Sequence, residues 1–197
     1  MNKNKALKIT AWAVAGVALG GALTYYNFIH KDKVSSFMLN EPCPDFFVKT
    51  YAQENGEFYL SNETKILSKL HGKIVLVNFW YTTCGGCVEE MHYFDELARA
   101  YPEDLEVIAV AGNVDLEEEV VEWLNDDGWN RLDPEHDWKD FTITFGRNSQ
   151  TDLFEELGGK GAYPHTVLVD REGIAVYTTG SSQNIYTELE AEILKCL

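Results

Sequence analysis

Positive charge is scarce in this chain. Sixteen lysines and arginines stand against 32 acidic residues among 197, a formal net charge of −16. The scarcity is uneven: residues 1–33 carry a local charge of +4, which leaves −20 on the remainder. A body that acidic repels a phosphate backbone, so nucleic acid is excluded as a partner. Cysteine is sparse as well, with four residues in all. There is no second C-x-x-C to complete a zinc site of that type. The chain has no internal repeat and no low-complexity segment. It has one long charge-free run, residues 9–29, and no lipidation signal of the Leu-Ala-Gly-Cys type. A hydrophobic share of 45% and an aromatic share of 13% point to a packed globule rather than disorder. The length suits one domain with appendages.

The charge-free run spans about 21 residues, enough for a membrane helix at about 1.5 Å rise per residue. Trp12, Tyr25 and Tyr26 sit towards its ends, where interfacial aromatics are expected. Lys3, Lys5 and Lys8 precede it and keep the N-terminus in the cytoplasm. The expectation is an uncleaved transmembrane signal-anchor within residues 1–33, a linker over 34–41 and one domain over 42–197. A cleaved signal peptide is the competing reading, with small-residue sites at Ala18-Leu19-Gly20 and Gly20-Gly21-Ala22. Either reading exports the domain.

Residues 73–80 form an apolar, β-branched run, the pattern of a strand buried on both faces. It breaks at Thr82-Thr83 and delivers Cys84-Gly85-Gly86-Cys87 to a helix over 88–101. Val88, Met91, Phe94, Leu97 and Ala98 make the helix's apolar face. A helix N-terminus carries unpaired N–H groups and partial positive charge, which favour a thiolate over a thiol. Cys84 opens the helix and is the candidate nucleophile. Cys87, one turn deeper, is the candidate resolving thiol. The plainer alternatives for the pair are a structural disulfide, or half a zinc site with His71 and His92.

Around this centre the pattern predicts a hairpin over 45–51 and 56–60, and a short helix from Ser61-Asn62 to Leu70. A second buried strand over 105–111 and a helix over 115–125 follow, the latter with Leu116, Val120, Trp123 and Leu124 on one face. Residues 128–140, with Trp129 and Trp138, show no period and suit a hydrophobic flap. An edge strand over 141–145, a helix over 150–157, a hairpin over 166–178 and a terminal helix from about Asn184 complete the chain. Such alternation gives an α/β layered sheet of mixed strand direction. Cys43 and Cys196 fit two readings, a disulfide with each other or two small buried hydrophobes.

Four motifs in order resemble the thioredoxin-like superfamily, and within it the membrane-anchored TlpA/ResA-type thiol-disulfide oxidoreductases. They are Pro44-Asp45-Phe46, Val77-Asn78-Phe79-Trp80 ahead of the cysteines, Cys87-Val88-Glu89-Glu90, and Ala162-Tyr163-Pro164-His165-Thr166. The resemblance covers about residues 40–197. It implies a thioredoxin-like fold, a central mixed β-sheet flanked by helices, with an N-terminal β-hairpin extension and one N-terminal transmembrane helix. It further implies exchange of protein disulfides on the extracytoplasmic side of a bacterial cell membrane, more often in the reductive direction. Substrates in that family include apocytochrome c and sporulation proteins, and a membrane thiol carrier supplies electrons. No cofactor and no metal are expected.

By the same resemblance Glu90 is the carboxylate that tunes the cysteines and shuttles protons. Thioredoxin proper has a buried aspartate in the active-site strand where this chain has Asn78, and an amide cannot accept the proton. The plainer alternative for Glu90 is an exposed helix glutamate like Glu89. Pro164 is implied to be cis, with the Tyr163 backbone offered to an extended substrate; otherwise it is a strand-opening proline. Trp80 is read as groove wall, with core filler as the alternative. The chain departs from the family at Thr83, Gly85-Gly86, His92 and Tyr163, positions that bear on potential or groove. Two rival functions stay open, a disulfide-forming oxidase and a copper-carrying module. A peroxide-reducing enzyme needs a threonine and a proline where Tyr81 and Val77 stand.

Overall fold

The computed structural model of the chain describes residue 37 and residues 39–126, 138–148 and 153–197. The expected membrane span over 9–29, half of the linker and the stretch 128–137 with Trp129 lie outside these residues. Among the described residues no helix is long and apolar enough to cross a membrane.

Strand β4, Ile74–Trp80, is buried at every position, as its unbroken apolar run predicts. Its side chains alternate between two cores, because successive residues of a strand point to opposite faces. Ile74, Leu76 and Trp80 join one cluster and Val75, Val77 and Phe79 the other. Parallel β5, Leu105–Ala111, pairs with β4 from Ile74↔Leu105 to Trp80↔Ala111. Antiparallel β7, His165–Val169, lies on its other side. Two turn-linked hairpins extend the sheet. One joins β2, Phe47–Glu54, to β3, Glu57–Ile66. The other joins β7 to β8, Ile174–Thr179. The two-residue β1, Glu41–Pro42, closes one edge on β8. With β6, Thr144–Arg147, the order is β1-β8-β7-β4-β5-β6-β2-β3.

Helix α1, Gly85–Ala100, packs Val88, Met91, Phe94 and Leu97 into the first core, joined by Val120 and Leu124 of α2, Glu117–Asn125. The terminal α4, Ile185–Cys196, adds Ile185, Leu189 and Ile193 to the same core. The short α3, Leu153–Glu156, supplies Leu153 to the opposite one. The turn Asn55-Gly56 has positive φ at both residues (54° and 84°), the backbone a two-residue hairpin needs.

Three expectations need correction, and one open alternative is decided. The helix read over 61–70 is strand as far as Ile66, followed by the single 3-10 turn Leu67–Lys69. Ser61 does not cap a helix. Its hydroxyl meets Thr50 across the hairpin at 3.0 Å and accepts the Glu63 N–H at 3.0 Å. The turn is instead held by Asp45, which accepts the Ser68 N–H and hydroxyl, both at 2.9 Å. The strand placed at 141–145 is β6 and lies inside the sheet between β5 and β2, so it is no edge. Leu116 does not join the α2 face. It is 63% exposed at the helix start, where Glu119 accepts its N–H at 2.6 Å. Cys43 and Cys196, finally, are both free thiols. They pack against opposite cores, with the sheet between them. Burial, with Asp45 adding to it, pushes the Cys43 thiol up to about 12, so it is inert near neutral pH.

Candidate active site

The end of β4 and the start of α1 set the site. Cys84 is the N-cap of α1, its own N–H bound to the Tyr81 carbonyl at 3.0 Å. Its sulfur accepts the Cys87 N–H at 3.2 Å, which satisfies one of the orphan donors of the first helical turn. Cys84 and Cys87 are joined as a disulfide, with Cα atoms 5.3 Å apart. Cys84 keeps 6% of its surface exposed and Cys87 none, so an incoming group meets Cys84 first. The flanking Thr83 and Gly85 are exposed, giving that sulfur an approach.

The loop leading to Cys84 is clamped by a residue that no motif or spacing marks. Asp115, buried in the loop after β5, accepts the Thr82 N–H at 2.7 Å and the Thr82 hydroxyl at 3.1 Å. Arg147 of β6 holds the Asp115 carbonyl oxygen at 2.7 Å. In the sequence Asp115 looks like one more acid at an acidic helix start. Only the fold brings it beneath Thr82. Asp115→Ala leaves the Thr82 N–H without its acceptor, and the expected cost is about 1–3 kcal/mol. Chemical denaturation of the oxidised protein measures it.

Glu89 and Glu90 part company on the helix: Glu89 is exposed and Glu90 is 4% exposed. One helical turn from Cys87, Glu90 turns inward. Its Oε1 accepts the Ser181 hydroxyl at 2.7 Å and the Ser182 N–H at 3.0 Å. Its Oε2 is buried and has no hydrogen-bond partner among the described residues. Burial holds the carboxyl above its usual range, opposed by the two serine bonds and reinforced by the charges of Glu89 and Glu188. A cleft of about 410 Å³ opens beside it, lined by Gly86, Glu89, His92, Tyr93 and the loop after β8.

That loop also approaches the proline segment. A Cβ on Gly180 would lie 3.7 Å from the Pro164 carbonyl oxygen, and one on Gly86 would lie 3.7 Å from the Ser181 hydroxyl. The Tyr163–Pro164 peptide is cis. The Tyr163 ring stacks on Phe154 at 4.5 Å and meets Tyr81 edge-on at 5.2 Å. It covers Gly112 so closely that a Cβ there would lie 2.6 Å from its hydroxyl. Tyr163 thus meets the start of the active-site loop at Tyr81, and Pro164 approaches the loop after β8 at Gly180. Trp80 is placed elsewhere. It is fully buried against Trp123 at 4.9 Å and Phe145 at 6.0 Å, so the core reading holds and the groove-wall reading does not. Asn78 is buried too and donates to the Thr166 hydroxyl at 3.0 Å.

The Redoxin family profile matches residues 39–192. The chain belongs to the Redoxin family. Over 99% of its length it is 27% identical to the thiol-disulfide oxidoreductase ResA of Halalkalibacterium halodurans, covering 98% of that protein. It is 35% identical to ResA of Oceanobacillus iheyensis over 41% of this chain, and the match spans only 40% of that protein's length. Among solved structures it resembles the thioredoxin domain of a thiol-disulfide oxidoreductase from Bacteroides vulgatus. There the TM-score is 0.56 and identity 21%, over 80% of this chain and 99% of that one. The fold of this Redoxin-family chain is therefore thioredoxin-like, and the TlpA/ResA resemblance read from its four motifs is borne out.

Proposed function

We propose that this chain is a thiol-disulfide oxidoreductase that reduces protein disulfides through Cys84 and Cys87. The observation that carries the reading is the Cys84–Cys87 disulfide at the mouth of α1, with a buried carboxyl one turn below it. In the reduced protein the Cys84 thiolate attacks a substrate disulfide. An S–S bond forms between Cys84 and the substrate, and the first substrate sulfur leaves and takes a proton. Cys87 then gives its proton to the Glu90 carboxylate and attacks Cys84. The second substrate thiol is released and the Cys84–Cys87 bond forms. Two electrons have passed to the substrate. A dithiol carrier in the membrane returns them by the reverse exchange.

Two features support the reductive direction. Strong oxidants owe their potential to a stabilised reduced form, in which a nearby cation adds to what the helix end does for the thiolate. Here Cys87 is fully buried, and the cleft beside the pair is lined by Glu89 and Glu90 with no lysine or arginine. Such surroundings disfavour the thiolate and so favour the disulfide. The substrate's extended segment lies along the Tyr163-Pro164 backbone. The domain over 42–197 is held outside the cell membrane by the anchor within residues 1–33 and the linker over 34–41. Full-length protein supplied with a small dithiol reduces insulin disulfides catalytically on this reading. Failure to do so, with tight stoichiometric copper binding by the reduced form, would replace it with a metal-carrying role.

A further inference from the structure

The loop after β8 does more than lead into α4. Ser181 and Ser182 place two donors on one oxygen of Glu90. The same Ser182 turns its hydroxyl away and donates it to Glu188 Oε1 of α4 at 2.8 Å. The other oxygen of Glu188 accepts from the Tyr177 hydroxyl of β8 at 3.2 Å. Two carboxyl groups on different helices are therefore tied through a single serine, and only Glu90 is buried. The two oxygens of Glu90 are not equivalent. A proton placed on Oε1 would compete with the Ser181 and Ser182 donors already there. A proton on Oε2 displaces no hydrogen bond, since that atom has no partner among the described residues.

We propose that Ser181 and Ser182 are positioning residues for Glu90, gripping Oε1 so that the exchangeable proton is carried on Oε2, with Glu188 as the second carboxyl of the same network. The inference rests on the reading of Glu90 as the proton carrier of the exchange. The Ser181 bond stabilises the ionised form of Glu90, and the Glu188 charge opposes it. The charged groups acting on Glu90 are Glu89 from α1 and Glu188 from α4, with His92 lining the same cleft and Tyr177 bound to Glu188. A Cβ at Gly86 would lie in ordinary contact, 3.7 Å from the Ser181 hydroxyl, so the serine loop packs beside the cysteine turn.

Opposed variants test it. Ser181 is an exposed loop residue, so Ser181→Ala removes one hydroxyl without opening the core. In the oxidised full-length protein, with glutamate side-chain carboxyls labelled with carbon-13, the Glu90 titration midpoint is read directly by NMR. The assignment comes from Glu90→Gln. The expected result is an upward shift in Ser181→Ala, return to the original midpoint in Ser181→Thr, and a downward shift in Glu188→Gln. The pH–rate profile of exchange moves the same way in each variant. A Glu90 midpoint unmoved by Ser181→Ala overturns the proposal. A pH–rate profile unmoved by Glu90→Gln instead removes the proton-carrier reading, and the NMR titration still decides whether Ser181 grips the carboxyl.

Discussion

Cys84→Ser abolishes exchange, and Cys87→Ser leaves the protein covalently joined to its substrate. The two outcomes differ because the two sulfurs sit differently. Cys84 caps the helix and keeps some exposure, whereas Cys87 has none. A serine hydroxyl at 84 is not ionised near neutral pH and makes no disulfide, so no alternative nucleophile reaches the substrate. The other thiols cannot substitute: burial pushes Cys43 up to about 12, and Cys196 is raised by burial and by Asp170. With serine at 87 the first step proceeds, Cys84 bonds to the substrate sulfur, and nothing resolves it. Intact-mass measurement after incubation with an oxidised substrate shows unmodified protein for Cys84→Ser and a one-to-one adduct for Cys87→Ser. Adducts in the reverse pattern would exchange the two roles.

Glu90→Gln slows exchange about 100-fold, the lower end of what a positioned acid–base group contributes, yet stabilises the fold. Glutamine keeps the shape and still accepts from Ser181 and Ser182, but cannot take the Cys87 proton. The stability effect has the opposite sign for a reason that follows from burial. Glu90's carboxyl is held above its usual range, so the folded state binds its proton more tightly than the unfolded chain does. That contribution is fully present below the ordinary carboxylate range and is lost as pH rises through the raised folded value. As pH rises the wild type therefore loses stability that the amide, which does not titrate, keeps. Denaturation midpoints at several pH values should show Glu90→Gln ahead at neutral pH and level with wild type in acid. A midpoint that falls at neutral pH would mean that the carboxylate is net stabilised where it lies.

Much of this was legible in the chain itself, and the rest was hidden for a physical reason. The unbroken apolar run of β4, the Asn55-Gly56 turn and the spacing of Ile185, Leu189 and Ile193 are local signals, and the elements formed where they point. The failures are non-local. Residues 61–66 carry acceptable helix chemistry, but pairing with Phe47, Val48 and Lys49 across a bulge keeps them extended. Trp80 stands next to the active-site loop in sequence, yet strand alternation turns it into the core, where Trp123 and Phe145 receive it. The cysteines and Glu90 lie within seven residues, where the C-x-x-C spacing marks the pair and only the family resemblance marks Glu90. Asp115, Ser181 and Ser182 come from distant loops and had no periodicity or motif to mark them. Ser182 was visible only as a loop residue ahead of a helix, which is one of its tasks, since it also accepts the Asn184 N–H at 3.2 Å.

On the proposed function, the Cys84/Cys87 pair donates electrons. Equilibration of the Cys84/Cys87 couple in glutathione or dithiothreitol buffers at pH 7, read by thiol labelling, gives its potential. The expected value lies close to that of thioredoxin, about −270 mV, because burial and the neighbouring carboxyls favour the disulfide. A value close to that of the strong oxidants, about −120 mV, would contradict it and make this chain a source of disulfides.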